Sequence, residues 1–123
     1  MKSEELGPRI VERSVTYSLR VIRLYRELER DGVGRVLGQQ LLRSGTSIGA
    51  NVHEAQGAQS KPDFIAKMSI AHKGARESQF WLELVERAEL VPSERLSELR
   101  NETMQIVKIL ASILLTSKQP AYA

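Results

Sequence analysis

The sequence predicts an all-α fold, a single domain over residues 1–123 built as an antiparallel up-down-up-down four-helix bundle. Three observations carry this. Apolar residues recur at intervals of three and four through four long segments. Short breaks rich in glycine, proline or serine separate those segments. No stretch alternates apolar and polar residues with period two over the length of a strand. Four long helices joined by such short breaks reverse direction at each one, which gives an up-and-down bundle.

Helix 1 is expected over residues 8–30. Pro8 suits a first helical turn, where its missing N–H removes no bond. Ile10, Ser14, Tyr17, Val21, Tyr25 and Leu28 share one face, and Val11, Val15, Ser18 and Ile22 widen it to roughly 180°. A face that wide can touch two neighbours. On the other side Arg9, Arg13, Arg20, Arg23 and Arg30 fall within roughly 100° of arc, interrupted by Glu12 and Glu27. Asp31-Gly32-Val33-Gly34 forms the first break.

Helix 2 is expected over residues 35–58. Between Val36 and Gln59 its only formal charges are Arg43 and Glu54, which predicts shielding on most sides. Gly38, Gly45 and Gly49 each cost about 1 kcal/mol of helix propensity against alanine. Their spacing puts them on one stripe, where another helix backbone can approach closely.

Helix 3, over residues 61–89, opens with Ser60 as N-cap, Pro62 in the first turn and Asp63 as the N3 acid. Phe64, Met68, Ala71, Ala75, Ser78, Leu82 and Val85 recur at helical spacing, flanked by Ile65, Trp81, Leu84 and Ala88. Val91-Pro92-Ser93 ends this helix and caps helix 4, over residues 94–117. Leu96, Leu99, Thr103, Ile106, Val107, Leu110, Ile113 and Leu114 make the stripe of helix 4. Gln119 to Ala123 reads as a frayed tail.

Composition narrows the function classes. The chain has 123 residues, 41% hydrophobic and 27% charged, as a folded globular domain does. It has no cysteine, which excludes disulfide and thiolate chemistry and fits the cytoplasm. The N-terminal residues are polar and lack the apolar stretch of a signal peptide. The run from Ile106 to Leu115 contains Lys108 and, at about ten residues, is too short to span a bilayer. A soluble cytoplasmic chain with no membrane partner is expected. The net charge of +3 fits either an ordinary solvated surface or a polyanion-binding one.

Little in the chain points to catalysis. There is no nucleophile triad, Gly-rich phosphate loop or His-x-x-x-His pair. His53 and His72 are the only histidines, fewer ligands than a metal needs. No catalytic residue, cofactor or metal is expected, and an enzyme would have to work through Glu54, His53 or His72. Met68 and Trp81 read as packing residues. A base-stacking role for Trp81 would require its exposure beside arginines.

Helix 2 carries the more informative constellation. Arg43, Ser47, Asn51 and Glu54 fall within roughly 80° of arc. Arg43 and Glu54 lie roughly 16 Å apart along the axis and cannot pair with each other. Folding helices 2 and 3 back around Ser60 sets Arg43 opposite Glu77 and Glu54 near Lys67, with opposite charges at both places. The stripe can serve as a register-fixing network, a ligand or nucleic-acid site, or a subunit interface.

The segment Gln40-Leu41-Leu42-Arg43-Ser44-Gly45-Thr46-Ser47-Ile48-Gly49-Ala50-Asn51-Val52-His53-Glu54-Ala55 resembles the signature of the "four helix bundle protein" family. These proteins are encoded by intervening sequences in bacterial 23S ribosomal RNA genes and by other bacterial loci. Ser60, Asp63-Phe64, Ile70-Ala71, Glu77 and Trp81-Leu82 extend the likeness to nearly the whole chain. The resemblance implies a left-handed bundle that assembles as a homopentamer. The chain is also similar to the accessory variability determinant of diversity-generating retroelements, a basic pentameric barrel that binds nucleic acid and a reverse transcriptase. Two positions depart from the pattern. His53 stands where a small residue is usual, beside Glu54, and Gly74 stands where glutamate is common and weakens helix 3.

Together these observations point to a non-enzymatic bundle that assembles with itself. Its oligomer would present Arg9, Arg13, Arg20, Arg23 and Arg30 to RNA or DNA phosphates without base preference. The alternative is a scaffold or adaptor that binds only another protein. The two differ in whether those arginines are open or paired with glutamates. The wide apolar faces, which leave a lone bundle with uncovered apolar surface, favour self-assembly under either reading.

Overall fold

The computed structural model describes residues 3–120, with side chains from Arg9 onward. Its elements are four helices, α1 (Ser3–Leu28), α2 (Gly32–Gln56), α3 (Lys61–Arg87) and α4 (Ser93–Ser117). Each helix packs on the next and α4 closes back on α1, while the diagonal pairs stay apart. The chain is thus an up-down-up-down four-helix bundle. Met1, Lys2 and the last three residues of the tail, 121–123, lie outside the described residues.

Each helix buries one stripe with seven residues per two turns. On α1 it is Ile10, Ser14, Tyr17, Val21, Leu24 and Leu28. On α3 it is Met68, Ala71, Ala75, Ser78, Leu82 and Val85, and on α4 Leu96, Leu99, Thr103, Ile106, Leu110 and Ile113. That period suits helices crossing at about 20°, whose side chains interdigitate along their whole length. It also explains one difference on α1. Leu24, not Tyr25, occupies the core position, because the strict 3-4 spacing from Val21 selects residue 24. Tyr25 is half-buried beside Gly38.

The helix ends show further differences from the sequence expectation. Helix α1 starts at Ser3, so Pro8 lies in its second turn, where it forgoes one backbone bond without breaking the helix. Asp31 is itself the N-cap of α2, accepting from the Gly34 N–H at 2.9 Å, so both glycines of the first break belong to the helix. Gly34 is required there, because a Cβ would collide with the Leu28 carbonyl oxygen. Ser60 caps α3 as expected, accepting from Asp63 N–H at 3.2 Å, while Asp63 accepts from Gln59 N–H at 3.2 Å. Ser93 is the first residue of α4 and not its cap. Pro92 holds that position without a side-chain bond.

Helix α3 ends two residues earlier than the apolar pattern suggests. The N–H groups of Glu89 and Leu90 bond back to the carbonyls of Glu86 and Val85 at 3.0 and 3.2 Å. This is the Schellman arrangement, and it places Glu89 in the left-handed region at φ 57°. An L side chain is strained there by roughly 1–2 kcal/mol. Glu89→Gly is therefore expected to stabilise the fold by about 1 kcal/mol, read as a higher urea midpoint at unchanged slope.

The four buried hydroxyl side chains, Ser14, Ser44, Ser78 and Thr103, are all paired. Ser44 and Ser78 share a hydrogen bond at 2.9 Å between α2 and α3. Thr103 donates to the Leu99 carbonyl, so Tyr17 donates its hydroxyl to Thr103 at 2.7 Å, joining α1 to α4. Burial pushes the Tyr17 phenol up to about 12, against the lowering effect of its hydrogen bonds. Its ordinary value is 10.0, so the unfolded chain ionises first as pH rises. Stability from this group is complete below pH ~10 and falls by about 2–3 kcal/mol as pH rises through its folded value. Chemical denaturation from pH 9 to 12 should show that decline, and Tyr17→Phe should flatten it.

Candidate functional site

Helix α1 divides its arginines between two fates. Arg13 grips Glu102 of α4 with two bonds, Nε at 3.0 Å and NH2 at 2.7 Å, and both side chains are largely buried. The hydrogen bonds to Glu102 raise the Arg13 guanidinium further above its ordinary value. Arg20 approaches Glu98 at 3.8 Å, but Glu98 is 92% exposed, so this contact is loose. Arg9 is exposed and engaged in an interaction of its own. Arg23 and Arg30 are exposed, with no carboxylate partner among the described residues, and Arg26 and Arg35 join them around the first turn of the chain. The expected arginine face is thus continuous only at its C-terminal end.

The ion pairs also set the helix register. Arg13–Glu102, Arg20–Glu98 and Arg95–Glu27 climb α1 as they descend α4. Arg100 pairs with Glu86 between α4 and α3.

The polar stripe of α2 lies along the α2–α3 seam. Arg43 reaches Glu77 at 2.7 Å and also Gln40, and Lys67 reaches Glu54 at 3.2 Å. Both pairs stand where the antiparallel register puts them. Ser47 and Asn51, between them, bond their own helix at the carbonyls of Ser44 and Ser47. The four side chains do not converge on a common centre, so the stripe acts as a zip and not as a pocket.

Gly74 fits into this seam. It is fully buried, and a Cβ there would lie 2.5 Å from Ser47 Oγ and 3.0 Å from the Ser44 carbonyl oxygen. The sequence reading treats Gly74 as a weakness of helix 3, but the structure makes it the residue that lets α3 reach α2. Gly38 and Gly45 do the same on the α1 side, against Tyr25 and Val21. The charge-poor α2 is not shielded on most sides in the single chain. Val33 and Val36 are 58% and 60% exposed.

The histidines lie on different helices. His53 is exposed on α2 and bonds the Gly49 carbonyl at 3.0 Å. His72 sits in the groove between α3 and α4 with Ser69, Ala111, Leu115 and Lys118. Burial, and then the charge of Arg76, holds His72 below its ordinary value. No group of three or more potential ligands that could hold a metal occurs among the described residues. Nor is any described helix long and apolar enough to cross a membrane.

Met68 is a core residue, while Trp81 is half-buried against the core. The Trp81 indole Nε1 is buried and has no hydrogen-bond partner among the described residues. Among the described residues the exposed aromatic is its neighbour Phe80, at 53%, which meets the Trp81 ring edge-on at 5.0 Å. Phe80 lines an open groove between α3 and α4 with Gln79, Glu83, Arg100, Asn101 and Met104. Sequence reasoning assigned Phe80 no role, because its position lies outside the apolar stripe of helix 3. Charge marks only the neighbouring part of this flank: no acid occurs from Phe64 to Arg76 or from Thr103 to Pro120, whereas Phe80 itself stands between Glu77 and Glu83.

The sequence model of the 23S rRNA-intervening sequence protein family matches residues 8–112. The chain belongs to that family. A solved relative is a protein of unknown function from the S23 ribosomal protein family of Bacteroides thetaiotaomicron VPI-5482. It is 40% identical, aligns over 89% of this chain and 98% of its own, and superposes with a TM-score of 0.85. No curated protein matches the chain. Within this member of the intervening-sequence family, the signature residues Arg43, Ser47, Asn51, Glu54 and Glu77 form the α2–α3 seam.

The two α1 contacts with α4 separate a structural pair from a surface one. A double-mutant cycle on Arg13 and Glu102 should give a coupling of about 1 kcal/mol, as expected of a bidentate, largely buried pair. The same cycle on Arg20 and Glu98 should give a value near zero.

Proposed function

We propose that this family member is a cytoplasmic, non-catalytic bundle that assembles with itself as a homopentamer and binds RNA or DNA without base preference. One observation carries the nucleic-acid reading, the excess of cations left over once internal pairing is complete. Arg23, Arg26, Arg30 and Arg35 on one side, and Lys73, Arg76, Lys108 and Lys118 on another, have no carboxylate partner among the described residues. Such open cations attract phosphates and release their counterions. Assembly strengthens the effect, since five copies of a chain with net charge +3 multiply that charge fivefold.

Exposed apolar side chains support self-assembly. Val15 and Leu19 lie on the outer flank of α1, and Val33 and Val36 on the outer flank of α2. Apolar surface of this kind is covered when subunits pack. From Val36 to Gln59 the only formal charges are Arg43 and Glu54, and the centre of an interface is likewise poor in charge.

The bidentate Arg13–Glu102 pair favours a second reading, a scaffold that binds only protein, because it removes an arginine from the predicted face. Two measurements decide. Light scattering on a sizing column should give a mass near five times 13.8 kDa. Binding to a labelled oligonucleotide should then weaken steeply with salt, with log K falling linearly against log salt. A monomer removes the pentamer, and absence of binding at low salt leaves the scaffold.

A further inference from the structure

The unpaired cations form two groups, and only one of them lies beside an exposed aromatic. On α3, Lys73, Arg76 and Phe80 follow at i, i+3 and i+7, the spacing of one helix face. Lys73 and Arg76 line a hollow on α3 that His72 also borders, and His72 in turn borders the α3–α4 groove that Lys118 lines; Lys108 is exposed on α4, which carries no acid after Glu102. Lys73, Arg76, Lys108 and Lys118 are all exposed. The acid nearest these cations on α3 is Glu77, and Arg43 already holds it at 2.7 Å. In a second hollow on the same α3–α4 flank, beside Phe80, lie the amides of Gln79 and Asn101 and the exposed Met104, while Glu83 and Arg100 there are held by Arg87 and Glu86. By contrast, the α1 cluster of Arg23, Arg26 and Arg30 is interleaved with Glu27 and Glu29, and no aromatic side chain among the described residues near it is exposed.

We propose that the groove between α3 and α4 is a binding site for single-stranded nucleic acid. Lys73, Arg76, Lys108 and Lys118 contact the phosphates and Phe80 stacks on a base. This rests on the nucleic-acid reading above and places it on α3–α4 in preference to α1. The chemistry is that of a single-strand platform, in which a basic track follows the backbone and an aromatic face takes any base. A duplex keeps its base faces stacked internally and cannot use Phe80, so the site discriminates by strandedness and not by sequence. Lys118 and Met104 lie roughly 21 Å apart along α4, a span long enough for a short strand laid over the two hollows.

The test uses the full chain at low salt with labelled oligo-dT and oligo-U of about 15 nucleotides and a duplex of the same length. Anisotropy gives affinity. Trp81 is the only tryptophan in the chain and packs on Phe80, so its emission reports directly on stacking. Three variants are compared after circular dichroism shows that each folds. The first is Lys73→Gln, Arg76→Gln, Lys108→Gln and Lys118→Gln combined; the second is Arg23→Gln, Arg26→Gln and Arg30→Gln combined; the third is Phe80→Ala.

The first variant should lose at least tenfold in affinity and flatten the salt dependence, while the second changes affinity by less than about threefold. Phe80→Ala should weaken single-strand binding by about tenfold, and wild-type Trp81 emission should change on binding either oligonucleotide. If the second variant loses binding and the first keeps it, the α3–α4 site is overturned while nucleic-acid binding stands. Equal affinity for duplex, with no effect of Phe80→Ala, overturns the single-strand assignment. If wild type binds no oligonucleotide at low salt, the functional reading fails and this site fails with it.

Discussion

Helix α2 meets both of its neighbours through glycine and serine. On one side Gly38 and Gly45 lie against Tyr25 and Val21 of α1 at distances that leave no room for a methyl group without some adjustment, and Gly49 lies beside Ser14. On the other, Ser44 and Ser47 lie against Gly74 and Ser78 of α3. Close approach of this kind increases dispersion contact per residue and offsets the propensity cost of the glycines. It also fixes how far α2 can slide or rotate, since each small residue is matched to one particular partner. With α2 placed, α1 and α3 follow. Helix α4 then fills the remaining side, through larger side chains and the Tyr17–Thr103 and Arg13–Glu102 bonds.

Polar groups act on this frame as register markers. The buried hydroxyl pairs contribute specificity more than net stability, because a slipped register would leave hydroxyls unsatisfied in the core. At the seams, Arg43–Glu77 and Lys67–Glu54 are exposed enough that each is worth little. Their value lies in rejecting wrong pairings. The family signature, Arg-Ser through Ser-Ile to Asn-x-x-Glu, is in this light mainly a description of one helix seam.

Much of this was legible in the sequence, and the reasons for the rest are physical. Helical periodicity located all four helices, since apolar spacing follows from burial of one face. The α2–α3 register could be read because opposite charges stood at both matching heights. Helix ends were harder. Asp31 and Glu89 act through backbone geometry that leaves little trace in composition, and a left-handed glutamate contradicts the usual glycine signal. Gly74 was misjudged because propensity is local while the close approach of α3 to α2 is not. The arginine face of α1 was only partly correct. A helical wheel gives direction but not pairing, and Arg13 is turned inward by a carboxylate 89 residues away. Phe80 escaped notice for the related reason that groove edges are defined by two helices at once.

The uneven distribution of small residues has a consequence for how such a chain can change. Substitutions at the buried glycines and serines of α2 are confined by contacts on both flanks, so those positions have few neutral routes except through paired changes in α1 or α3. The outer surface of α4 beyond Glu102 meets no such restriction and can gain or lose charge without disturbing the core. Lineages sharing this bundle can therefore diverge in what they bind by rewriting α4 and the outer face of α3. The same asymmetry recommends the chain as a starting scaffold, with α2 left untouched and new recognition residues introduced along α4.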